Sequence, residues 1–147
     1  MNLFFTFLAF LIGMLLPIQV GVNVELARYL NSPILAAFIS FLVGAFCLIL
    51  IAFVFKSPFP TWGQIMAVPS WTLAGGLIGA SVVFASIVAG PNIGALALVS
   101  LLLAGQLIGS VLIDHYGWLG FDVQKMGFQR ILGIILLVGG FLLIRKY

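Results

Sequence analysis

The chain has 147 residues, 64% of them hydrophobic and 6% charged, with a mean hydropathy of +1.35. Soluble domains carry about 25% charged residues, so six Lys/Arg and three Asp/Glu cannot clothe a water-facing surface. These totals exclude a soluble globular domain, and a net charge of +3, scattered along the chain, excludes a nucleic-acid-binding face.

What remains is an all-α, polytopic membrane protein whose surroundings are the lipid bilayer, with residues 1–147 forming one domain. A cleaved signal peptide would need a basic start before a short apolar core. No Lys or Arg precedes the first apolar run, so Met1 onward is expected to begin a permanent helix.

A crossing needs about 20 mostly apolar residues, and five stretches meet that need. The first covers residues 3–29 and ends at the turn-forming Asn31-Ser32-Pro33. The second covers 33–55, followed by a connector from Lys56 to Pro69 that holds Pro58, Pro60 and Pro69. The third covers 71–89, with Gly90-Pro91-Asn92 expected as a tight break. The fourth covers 93–113, and the connector after it, Asp114 to Phe128, places Asp114 and His115 in solvent. The fifth covers 129–144, with Arg145-Lys146-Tyr147 as its tail. Trp62, Trp71, Trp118, Tyr29, Tyr116 and Tyr147 all fall at or beyond a span end. Their amphipathic rings favour the headgroup layer.

Helices in a bilayer pack best through small residues that let backbones approach. Gly75-x-x-x-Gly79 and Gly76-x-x-x-Ala80 supply these in the third span, with Ser86 and Gly90 near the Gly75 face. Gly105-x-x-x-Gly109 supplies them in the fourth, and Gly133 and Gly140 in the fifth. The spacing serves packing within one chain or between two. Cys47, among Phe46 and Leu48-Ile49-Leu50, reads as apolar filler, and no metal-ligand spacing or cofactor fingerprint occurs.

Five crossings would put Lys56, Lys125 and Arg130 on one side and Arg28, Arg145 and Lys146 on the other. Orientation follows an excess of Lys/Arg on the cytoplasmic side, and here there is none. Such a chain is expected to insert both ways. Two opposed copies would then form an antiparallel homodimer with the symmetry of an inverted-repeat transporter.

The polar residues inside the spans are the functional candidates. Gln19 and Asn23 are four residues apart and share a helix face. Gln106 lies near the middle of the fourth span, followed on its face by Ser110 and Asp114. An unpaired amide in hydrocarbon costs several kcal/mol, so these side chains must meet a partner helix or a wet cavity. A substrate pocket lined by Gln19, Asn23 and Gln106 is one reading, and interhelical hydrogen bonds that only hold the bundle are the other. Pro17, two residues before Gln19, frees a backbone carbonyl and favours the pocket. Glu25 is an ionisable group within a span, hence a candidate for ion or proton coupling. Its alternative is a surface pair with Arg28, three residues on. The single His and the absence of a paired nucleophile argue against an enzyme.

Pro17, Gln19, Asn23 and Leu26 late in the first span, and Gly127-Phe-Gln-Arg-Ile-Leu-Gly133 leading into the last, resemble the drug/metabolite transporter superfamily. The single EamA-like unit and the Gly105-Gln106 pair look most like its YdcZ branch of bacterial inner-membrane proteins. The resemblance implies a secondary transporter of small-molecule solutes in the inner membrane, whose larger relatives carry two inverted five-helix repeats. A single repeat would then work as a dimer. One departure stands out: the small multidrug-resistance branch carries a glutamate deep in its first helix, where this chain has Gln19. The competing expectation, from another class, is a non-transporting accessory or structural subunit that pairs with another membrane protein.

Overall fold

A computed structural model describes residues 2–146, with side chains through Leu143. Tyr147 and the side chains of Arg145 and Lys146 lie outside the described residues. The described residues are almost wholly helical and contain no strand. In chain order the helices are α1 (Leu3–Leu30), α2 (Pro33–Val54), α3 (Trp62–Ala67), α4 (Ala74–Ile93), α5 (Ala95–Tyr116) and α6 (Phe128–Lys146). Among the described residues, four stretches are long and apolar enough to cross a membrane: α1, α2, Ser70–Ile93 and α5. The apolar part of α6, Phe128–Leu143, is shorter.

Local chemistry fixes the α1–α2 hairpin. Asn31 takes the left-handed conformation (φ 50°), and its N–H donates to the Ala27 and Arg28 carbonyls, closing α1. Ser32 then caps α2 by accepting from the Leu35 N–H, with Pro33 at the first helical position, where a missing N–H costs nothing.

The third span ends later than the sequence suggests. Gly90-Pro91-Asn92 does not break the chain, because α4 continues through Pro91 to Ile93. A proline in the last turn of a helix forfeits one hydrogen bond rather than a ladder. The Asn92 side-chain amide donates to the Val88 carbonyl at 2.7 Å, adding a bond at the frayed end. The break falls instead at Gly94, whose φ of 83° is strained for any residue with a Cβ.

The far end of α5 also runs on, to Tyr116, so Asp114 and His115 belong to a helix and not to a solvated connector. Both are half-buried, and both fasten the following loop. Asp114 meets Arg130 of α6 at 3.2 Å, the Met126 N–H donates to His115 Nδ1 at 3.1 Å, and the Gln124 N–H donates to the Asp114 carbonyl at 2.7 Å. Arg130 also donates to the Gln124 carbonyl and side chain. An ion pair about one-third exposed contributes about 1 kcal/mol at most after solvent screening. Asp114→Ala should therefore raise the open population of the loop about fivefold. Tryptic cleavage at Lys125 in detergent should quicken by that factor, and an unchanged rate would show that the pair does not hold the loop.

The chain resolves into two compact units, Met1–Asn92 and Ile93–Tyr147. In the first, α1 and α2 pack closely. Ala36, Ala37 and Ile87 of α4 form the buried cluster, with Leu26, Ala27, Leu30 and Val83 against it. This core lies at the turn end of the hairpin. Farther from the turn α1 is open, and none of its most apolar 18-residue stretch is buried. Cys47, on α2, is exposed. In the second unit α5 packs on α6, and an apolar groove of about 190 Å³ between them is lined by Leu103, Ala104, Leu136, Gly140 and Phe141.

Candidate functional site

The second half of α1 carries the candidate residues in three different settings. Pro17 sits inside the helix, half-buried. Gln19 is exposed, and its amide has no hydrogen-bond partner among the described residues. Asn23, one turn on, is only 4% exposed and is the buried residue of α1. Its amide makes no hydrogen bond to a described group, yet no fully enclosed side-chain polar atom among the described residues lacks a partner. The Asn23 amide therefore keeps a narrow access to its surroundings.

Glu25 points elsewhere. Its carboxylate accepts from Arg28 at 2.9 Å, and both side chains are more than half exposed. The pair sits in the last turn and a half of α1, at the depth where long side chains reach the headgroups.

Gln106 belongs to the second unit, on α5. It is exposed, and its side chain also lacks a described partner, although its backbone carbonyl accepts from the Ser110 hydroxyl at 2.7 Å. Gln19 and Asn23 thus share the first unit, while Gln106 stands in the second.

By its spacing in the sequence Ser86 is only a small packing residue. In the structure Ser86 is 4% exposed and, with Asn23, makes up the buried polar residues of the described chain. Its hydroxyl donates to the Val82 carbonyl at 2.7 Å. The polar character of a lone Ser among Val, Ala and Gly carries no signal until its burial is known.

Long apolar helices, amides within them and charges gathered near their ends define a polytopic, all-α membrane protein. A family described as "Putative inner membrane exporter, YdcZ" matches residues 4–143. The inner membrane protein YdcZ of Escherichia coli (strain K12) is 34% identical over 142 residues, covering 95% of this chain and 94% of that protein. No solved structure matches. The chain belongs to the YdcZ family within the drug/metabolite transporter superfamily, and it is a multi-pass protein of the inner membrane.

Proposed function

We propose that this protein is a secondary transporter of small solutes across the bacterial inner membrane, working by alternating access as a dual-topology, antiparallel homodimer. In this reading α6 makes a fifth crossing, and Gln19, Asn23 and Gln106 from both copies line a central site. The observation that carries the reading is the state of two amides. Gln19 and Gln106 sit on apolar helices, exposed and without described partners. Left in hydrocarbon, each would cost several kcal/mol. A second copy enclosing a hydrated chamber removes that cost, and the membership of an exporter family points the same way.

Amides both donate and accept, so the chamber suits a neutral or zwitterionic solute. Glu25 is assigned to ion or proton coupling, with the coupling cation competing against Arg28 for its carboxylate. Alternating access then amounts to rocking of the two copies about the amide chamber.

The test is Gln19→Leu in proteoliposomes, assayed with a panel of radiolabelled neutral and zwitterionic solutes that the wild type carries. Transport should fall at least tenfold while the protein elutes as the wild-type species. Undiminished transport by a folded variant would remove Gln19 from the site. A wild type that carries nothing and forms no homodimer would favour the accessory-subunit reading.

A further inference from the structure

The connector between α5 and α6, residues 117–127, is inside out for a loop in water. Its polar groups are engaged with one another and with the two helices. The Gln124 N–H donates to the Asp114 carbonyl, the Met126 N–H to His115, and the Phe121 N–H to the Trp118 carbonyl at 3.2 Å. Arg130 donates to the Asp114 carboxylate and to the Gln124 carbonyl. The large apolar side chains face outward instead. Trp118, Leu119, Phe121 and Val123 are each more than half exposed, as are Tyr116 before the loop and Phe128 after it.

This outward set is held in shape. Gly117 turns the chain back with φ 64°, and a Cβ there would stand 2.6 Å from the Val123 side chain, so the loop closes tightly against the end of α5. The Trp118 ring stacks on Tyr116, with centroids 4.9 Å apart. The surface is also electrically balanced. Asp114 pairs with Arg130. Asp122 and Lys125 are both exposed, neither joins an ion pair among the described residues, and their formal charges cancel.

The bilayer adjoins this surface. The loop starts where α5 ends, and α5 is long and apolar enough to cross a membrane. Tyr and Trp favour the headgroup level, which sets the Tyr116–Trp118 stack at that boundary. Leu119, Phe121 and Val123 carry no polar handle, so in water their exposure is unfavourable. We infer that the α5–α6 loop docks into the interfacial layer of the bilayer. Leu119, Phe121 and Phe128 lie at the boundary between headgroups and acyl chains, and Asp122 and Lys125 reach the water side. Amphipathic helices in this layer sink about 5–10 Å, and the loop is held there by the same burial of apolar area. Because its charges balance, docking needs no anionic lipid. The apolar surface of α5 thus continues into the loop without a break, and the docked loop fixes the depth of the Asp114–Arg130 pair. This contact with lipid goes beyond the transporter reading and does not depend on it.

The test places a nitroxide on single cysteines in a Cys47→Ser background, with the protein in phosphatidylcholine nanodiscs that leave both faces open. Collision with oxygen, which concentrates in lipid, is compared with collision with a neutral, water-soluble nickel chelate. The oxygen-to-nickel ratio at Leu119→Cys and at Phe121→Cys should be about threefold or more above that of the same label free in buffer. Exchanging about a third of the lipid for phosphatidylglycerol should leave that ratio unchanged. Both side chains are exposed, so neither substitution removes packing, and each variant should elute as the wild-type species. A ratio equal to that of the free label would put the loop in water and overturn the inference. Low collision with both oxygen and nickel would also overturn it, by assigning the surface to a protein partner or a second copy. A raised ratio seen only with phosphatidylglycerol would overturn docking by a neutral loop.

Discussion

Ala36→Leu should unseat the first hairpin and, with it, transport. Ala36 is fully enclosed, at 0% exposure, and Ala37 beside it is at 7%. They lie where the first turn of α2 meets the second, close to the two residues that separate it from α1. Small side chains there let the two backbones approach. The turn leaves no slack, since Asn31 and Ser32 each hold a cap hydrogen bond and Pro33 fixes the entry into α2. A leucine must therefore push α1 outward or displace Ile87 of α4. Overpacking of this kind costs about 1–3 kcal/mol, which is roughly a 5- to 150-fold loss in the folded ratio. The midpoint for loss of the monodisperse peak on heating in detergent should drop by several degrees. Transport should drop further, because the same shift misplaces Asn23. Ala36→Ser, close in volume, should keep both. A leucine variant with wild-type stability would show that the hairpin does not depend on this contact.

The hairpin was legible in the sequence because Asn31-Ser32-Pro33 specifies its conformation locally, whatever packs around it. The same kind of reading failed at Gly90-Pro91-Asn92. Gly90-Pro91-Asn92 has the composition of a turn, but a proline in the last turn of a helix costs a single bond, and position within the helix is not visible until the end is known. Asp114 and His115 were misplaced for a related reason. Polar residues in the last turn of an apolar helix look like the start of a connector, and only the Gly117 cap (φ 64°) shows that the helix passes beyond them.

At the site, periodicity gave the face but not its cover. Gln19 and Asn23 stand four residues apart, yet one is exposed and the other buried. The difference arises along the helix axis. The packed cluster begins at Leu26 and runs to the turn, so Asn23 is the first residue beside it, and Gln19 lies beyond its reach. Helical spacing fixes the angle of a side chain, whereas the distance from the hairpin base decides whether anything lies opposite.

Shifting the charge balance across the membrane should abolish transport, and a second shift of opposite sign should restore it. Two variants make the test. Ser57→Lys with Phe59→Lys loads the side of Lys56, and Tyr29→Arg with Asn31→Lys loads the side of Arg28. All four positions are exposed. If α6 crosses the membrane, the wild-type Lys/Arg are divided three and three, and two added charges decide the orientation. Each variant alone should then insert one way, as read by labelling both termini from each side, and should fail to transport. Co-expressed, the two should pair in opposite senses and recover activity. The ion pairs do not alter the count, because acidic residues weigh little in this rule. If α6 does not cross, Arg145 and Lys146 join Lys56, Lys125 and Arg130, leaving Arg28 alone on the other side. So lopsided a chain would insert in one orientation in the wild type. The Tyr29→Arg, Asn31→Lys variant would then leave its termini where they were, and a single-orientation wild type that still transports would rule out the antiparallel pair.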